Sequence, residues 1–182
     1  MKFERLNLPG VVRVTLDVFR DDRGAFMETW QSRKFADAGI SGPFVQDNWS
    51  ESRNGVLRGL HYQLVQPQGK LVAVVAGTIF DVVVDVRRSS PTFGRWLAEP
   101  LSSERAVALW VPPGFAHGFY VTSERATVLY KCTDFYAPSY ERTIRWNDPA
   151  LAIDWPLREG ASPLVSPKDA AGKLLGDTET FA

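Results

Sequence analysis

Cysteine and histidine are scarce in this chain of 182 residues: Cys132 is the only cysteine, and His61 and His117 are the only histidines. A single cysteine excludes a disulfide framework within the chain and suits a reducing compartment. An excess of charge of either sign is also missing, with 21 basic and 21 acidic residues and a formal net charge of zero. Nucleic-acid binding needs a basic face, so that class is set aside, although a local basic cluster can still hold a small anion. Long apolar runs are absent too. The N-terminal Met1-Lys-Phe-Glu-Arg5 does not read as a signal peptide, and no window reaches the length of a membrane span. These absences point to a cytoplasmic protein with no nucleic-acid or membrane partner. Zero net charge also offers little repulsion against self-association.

Several chemical motifs are lacking as well. No G-x-G-x-x-G or P-loop run supports a nucleotide cofactor. There is no nucleophile elbow, and Cys132, inside a strand-like run, reads as core. A metal-binding barrel usually offers an H-x-H pair, but His61 is followed by Tyr62 and Gln63, and His117 cannot complete a set alone. No metal site is expected.

What is present is a strand pattern. Gly55 to Gln63, Lys70 to Val75, Thr78 to Val86, Ala106 to Val111, Gly118 to Val121 and Ala126 to Cys132 are short apolar runs divided by Gly, Pro and Ser turns. With 45% hydrophobic and 23% charged residues, the chain can bury a sizeable core. Many short strands predict a mostly β, antiparallel barrel or sandwich in a single domain over 1–182, its core at about 45–135. One helix is expected over Thr29 to Gly39 and a helical piece near Lys168 to Leu175. Ala137 to Pro163 reads as ordered loop with a short strand at Thr143 to Trp146, and Gly176 to Ala182 as a loosely held tail.

Alternation places Val128, Tyr130 and Cys132 inward, with Thr127, Leu129 and Lys131 outward. Lys70, Val72 and Val74 share a face, which sets Lys70 at the barrel mouth if that face is interior. Arg58 and His61 have opposite parity. They can line one pocket only if the strand is offset, and Gly59 is where a bulge is easiest.

These residues permit acid–base chemistry without a cofactor. His61 lies in Gly55-Val-Leu-Arg-Gly-Leu-His-Tyr-Gln63, with Arg58 and Lys70 nearby. An imidazole beside fixed cations suits removal of a proton from an anionic carbon acid. Each candidate has a plainer reading. His61 can be a hydrogen-bonded core histidine, Lys70 a surface lysine leaving a turn, Tyr130 a core tyrosine and His117 a turn brace. Arg23, Arg53, Arg58 and Arg142 can be ordinary surface residues. The residues alone leave these alternatives open.

Nine blocks then occur in order: Asp21-Asp-Arg-Gly-Ala-Phe-Met-Glu28, Phe44-Val-Gln-Asp-Asn48, Gly55 to Gln63, Gln68-Gly-Lys-Leu71, Phe80-Asp-Val-Val-Val-Asp85, Ser89-Ser-Pro-Thr-Phe-Gly94, Pro113-Gly-Phe-Ala-His-Gly118, Tyr130-Lys-Cys-Thr-Asp134 and Trp146-Asn-Asp-Pro149. Through them the chain, from about Phe19 to about Asp169, resembles the dTDP-4-dehydrorhamnose 3,5-epimerases of the L-rhamnose pathway. The resemblance implies a cupin-like antiparallel jelly-roll barrel with a few short peripheral helices. It implies a homodimer without cofactor or metal, and a C-terminal segment folding back over the site. The implied substrate is dTDP-4-dehydro-6-deoxy-D-glucose and the product dTDP-4-dehydro-L-rhamnose.

Carried onto matching positions, His61 is the implied proton acceptor and Asp169, in Ser166-Pro-Lys-Asp169, its orienting carboxylate. Lys70 is the implied cation beside the keto oxygen and Tyr130 the proton donor. Tyr136 is the implied stacking partner of thymine. Arg23, Glu28, Gln46, Asn48, Arg58, His117, Glu141 and Lys168 match substrate-holding positions, with Arg23 and Arg58 placed at the diphosphate. One position departs: after Asn48 the family commonly has His, and this chain has Trp49. Two other functions remain open at this stage, a C3-only epimerase of a related deoxysugar and a non-catalytic sugar-nucleotide-binding barrel.

Overall fold

Side-chain alternation divides each central strand between two environments, and that division builds the molecule. A computed structural model describes residues 1–158 and 160–182. Among them the strands are β1 (Lys2–Arg5), β2 (Val12–Thr15), β3 (Val18–Asp21), β4 (Gly24–Met27), β5 (Gln46–Arg53), β6 (Leu57–Gln63), β7 (Lys70–Ala76), β8 (Thr78–Asp85), β9 (Trp96–Ser102), β10 (Val107–Val111), β11 (Phe115–Val121), β12 (Arg125–Cys132) and β13 (Glu141–Thr143). One sheet runs β1-β2-β10-β7-β12-β5 and the other β13-β6-β11-β8-β9. All these strand pairs are antiparallel. The two sheets form the expected jelly roll. β3 and β4 make a separate hairpin.

Val72 and Val74 of β7, Ile79 and Val83 of β8, Leu109 and Val111 of β10, Phe115 and Phe119 of β11 and Val128 of β12 meet between the sheets. Burial of each such side chain contributes roughly 1.5–3 kcal/mol. The alternate residues face outward. On the six-stranded sheet, Leu71, Ala108 and Trp110 are covered by Phe35 and Ile40. On the five-stranded sheet, Leu57, Leu60, Val82, Val84 and Tyr120 are covered by Ile144, Leu151, Trp155 and Leu175 of the C-terminal segment.

Phe35 belongs to helix α1 (Ser32–Asp37), which is shorter than the Thr29–Gly39 pattern suggested. The Gln31 side chain accepts from Lys34 N and caps it, so Trp30 lies outside the helix. Helix α2 (Pro167–Ala170) is a single turn, and a 3-10 turn follows at Leu175–Asp177. β13 begins two residues before the expected Thr143 strand. β11 begins at Phe115, so His117 lies within a strand and not in the preceding turn.

The last residues are not loose. Phe181 N donates to Val86 O at 3.1 Å, Arg88 N donates to Phe181 O at 2.8 Å, and the Tyr62 hydroxyl donates to Glu179 O. The polar composition of this tail hides its anchor, Phe181, which packs against Tyr62.

Candidate active site

The expected offset in β6 is present. His117 pairs with His61 and Phe119 with Arg58, so β6 spends one residue more than β11 over this interval. Gly59 has φ +122°. A Cβ on Gly59 would meet Gly118 Cα at 2.5 Å, and one on Gly118 would meet Arg58 O at 2.6 Å. The two facing glycines therefore let the strands approach where the extra residue is absorbed. Leu57 and Leu60 both pack outward as a result, and Arg58 and His61 share the inward face.

His61 Nε2 and Asp169 Oδ1 are 2.5 Å apart. Asp169 is brought there by α2, whose N-cap Ser166 accepts from Asp169 N at 3.1 Å. Burial pushes the Asp169 carboxyl up, but the bond and charge of His61 outweigh it, and the net shift is downward. An ionised Asp169 holds the proton on Nε2, which leaves Nδ1 as the basic nitrogen.

Tyr130 of β12 and Lys70 of β7 project from the opposite sheet, and Lys70 is in register with Cys132. Tyr130 packs against the interior core, and burial raises its hydroxyl pKa, with Arg58 and Glu141 near enough to act on it. Burial lowers the Lys70 ammonium, while Cys132, Glu141 and Asp81 act to raise it. His61 and Tyr130 therefore stand on facing walls.

β5 supplies a polar row, because Gln46, Asn48, Ser50 and Ser52 alternate inward. Gln46 Nε2 donates to Asn48 Oδ1 at 2.9 Å, and Asn48 Nδ2 donates to Cys132 Sγ at 3.4 Å. Arg58 Nε donates to Ser52 Oγ at 3.0 Å, and its Nη2 to Glu51 O at 3.4 Å. The buried Ser50 hydroxyl has no partner among the described residues.

Glu141, opposite Gln63 at the start of β13, gathers the remaining groups. Lys168 Nζ donates to both its oxygens at 2.9 Å, and the Tyr136 hydroxyl to Oε2 at 3.0 Å. Burial raises the Glu141 carboxyl, but Lys168, His61 and Tyr136 together leave it lowered. Tyr136 N donates to Gln46 Oε1 at 2.8 Å, and its ring is exposed.

The structure thus brings together His61, Asp169, Lys70, Tyr130, Gln46, Asn48, Arg58, His117, Tyr136, Glu141 and Lys168. Within one chain it does not bring Arg23 or Glu28 to them. The Arg23 side chain is 90% exposed on the β3–β4 hairpin and pairs with Asp21, and Glu28 pairs with Lys34 of α1. Trp49 points to the outer face of the six-stranded sheet, opposite Leu129, and is 66% exposed. It therefore cannot shape this cluster within its own chain.

The family description "dTDP-4-dehydrorhamnose 3,5-epimerase" matches residues 5–177. The chain belongs to this epimerase family. A Pseudomonas aeruginosa dTDP-4-dehydrorhamnose 3,5-epimerase is 55% identical over 182 residues, covering 100% of this chain and 99% of that one. A Legionella pneumophila 3,5-epimerase, solved in complex with dTDP-4-keto-L-rhamnose, superposes with a TM-score of 0.94 at 49% identity, covering 98% of this chain and 94% of that one. A 3'-monoepimerase from Streptomyces bikiniensis, solved with dTDP-quinovose, gives a TM-score of 0.88 at 36% identity, covering 94% and 86%. The epimerase fold thus carries both double and single epimerisation.

Sequence reasoning missed two residues that touch this cluster. Asp81 is fully buried, with Oδ1 and Oδ2 at 3.0 and 2.8 Å from His117 Nε2. Its parity with Ile79 and Val83 in β8 was the available signal for an inward carboxylate. Ser52 gave no comparable signal, because nothing in its surroundings marks β5 as a strand.

Proposed function

We propose that this chain is the isomerase that converts dTDP-4-dehydro-6-deoxy-D-glucose to dTDP-4-dehydro-L-rhamnose, by proton transfer at C3 and C5 with its own side chains. The observation that carries this reading is the placement of His61, backed by Asp169, on one sheet and of Tyr130 and Lys70 on the other.

The C3 and C5 hydrogens each flank the C4 ketone. His61 Nδ1 removes one as a proton, and the C–H electrons pass into an enolate with its charge on the C4 oxygen. Positioned acid–base groups typically contribute about 10²–10⁴-fold. The Lys70 ammonium stabilises the oxygen as its charge develops. Tyr130 then donates its hydroxyl proton to the carbon from the other face, inverting it. The imidazolium releases its proton to solvent and the phenolate regains one, so the pair is reset for the second carbon. Arg58, held by Ser52, offers a fork suited to the diphosphate. Tyr136 stacks on thymine, while Gln46, Asn48, His117, Glu141 and Lys168 hold the remaining polar groups of the substrate.

Arg23 and Glu28 fit this scheme through a second copy of the chain. The β3–β4 hairpin leaves Phe19 63% and Phe26 70% exposed. A homodimer that covers these rings would carry Arg23 toward a substrate bound by the other copy. The reading places the enzyme in the cytoplasm, where a dTDP-sugar and a free buried thiol at Cys132 are at home. No helix among the described residues is long and apolar enough to cross a membrane.

Turnover in D₂O tests the reading. Deuterium should enter at both C3 and C5. Label at C3 alone would make the chain a monoepimerase like its Streptomyces bikiniensis neighbour, and binding without exchange would make it a sugar-nucleotide-binding barrel.

A further inference from the structure

The scheme above gives His117 a place against the substrate and gives Asp81, behind it, none. Asp81 is inaccessible to solvent, and His117 Nε2 is its hydrogen-bond partner among the described residues. His117 is the direct register partner of His61 on the neighbouring strand. Two histidine–carboxylate pairs therefore lie side by side, His61–Asp169 and His117–Asp81, each with its carboxylate on Nε2. Glu99 is in register with Asp81 on β9, and Arg13 of β2 holds it through Nε at 3.1 Å and Nη2 at 2.6 Å. Arg13 thereby occupies Glu99 and leaves Asp81 to His117. A buried carboxylate and imidazole are costly where two apolar side chains would pack as well. Their presence calls for a task that packing does not supply.

We propose that Asp81 is a positioning residue for the epimerisation, fixing the proton on His117 Nε2 so that the Nδ1 edge of that ring is presented to the bound sugar nucleotide. Asp81 acts through His117 and does not itself touch the substrate. This role rests on the epimerase reading above.

The test combines kinetics with spectroscopy. Solvent exchange at C3 and C5 is first established for the wild type; its absence would strike the epimerase reading, not Asp81. With exchange in hand, Asp81→Asn should lower kcat/KM about 10–100-fold, and His117→Gln should do the same. The double variant should be no worse than the poorer single within about threefold, because both changes break one unit. Effects that multiply, or an Asp81→Asn enzyme within threefold of wild type, would overturn the proposal. A second measurement does not depend on the fold of the Asp81 variant. With only two histidines in the chain, ¹⁵N spectra of the wild type and of His61→Ala isolate the His117 ring. A proton on Nε2 supports the assignment, and a neutral ring protonated on Nδ1 alone refutes it.

Discussion

Asp81 and Asp85 open and close one Asp-Val-Val-Val-Asp run on the same face of β8, yet they live under opposite conditions. Asp85 accepts from Arg87 N, Nε and Nη2 at 3.0, 2.9 and 2.7 Å, and from the Ser90 and Thr92 hydroxyls at 2.6 Å each. Burial raises its pKa, but these bonds outweigh burial and hold it at about 2. Among the described residues Asp81 has His117 as its hydrogen-bond partner, and burial leaves its pKa raised. The Arg87 guanidinium in turn lies 4.4 Å from the centre of the Phe115 ring. One end of the strand is saturated and serves the fold. The other has fewer donors, and it is the end that lies behind His117, the register partner of His61. Both carboxylates are buried, so what sets them apart is the number of donors around each.

Three variants can break or sharpen this contrast. The largest effect belongs to His61→Ala, which should lower the exchange rate about 10²–10⁴-fold while dTDP affinity and melting temperature stay near wild type. Near-normal exchange would remove His61 as the base. Next is Asp85→Ala at the saturated end. It should cost about 2–3 kcal/mol of stability by leaving Arg87, Ser90 and Thr92 without their acceptor, with kcat of the folded enzyme unchanged. A fall in kcat comparable to that of His61→Ala would erase the distinction between the two ends.

The same variant carries a pH signature. The folded pKa of Asp85, about 2, lies below the ordinary value of 3.8. Its stabilisation, roughly 2 kcal/mol, is therefore complete above about pH 4 and lost as pH falls through about 2. Asp169, also lowered, adds to the loss in the same direction. Acid titration followed by circular dichroism should show a shallower loss of stability below pH 4 in Asp85→Ala than in wild type. The smallest effect belongs to Ser52→Ala. Loss of its bond to Arg58 should raise KM about fivefold, or about 1 kcal/mol, with kcat little changed. An unchanged KM would mean that Arg58 needs no support.

The sequence was most readable where local rules conflicted. Arg58 and His61 could share a pocket only through an offset at Gly59, and β6 has that offset. It is least readable in β5, which carries no apolar alternation. Its inward residues, Gln46, Asn48, Ser50 and Ser52, are polar because they line the site, so the apolar alternation that signals a strand is missing. The helix at Ser32–Asp37 was overextended because Trp30 fits the helical period but precedes the Gln31 cap. The tail reads as loose because its hold on the barrel lies in main-chain bonds and one ring, Phe181, which composition does not display. The separation of Arg23 and Glu28 from the other site residues is a matter of three-dimensional placement that matching blocks along a chain do not contain.

The bond between His61 and Asp169 also sets an order in time. Its partners lie 108 residues apart in the chain. The strands that hold His61, Lys70 and Tyr130 all precede Asp169 in the chain, so Asp169 is the last of the four to be made. Until Asp169 is added, His61 lacks the carboxylate to which it is bonded in the folded chain. The pair closes only when the short helix carrying Asp169 docks against the strand that holds His61.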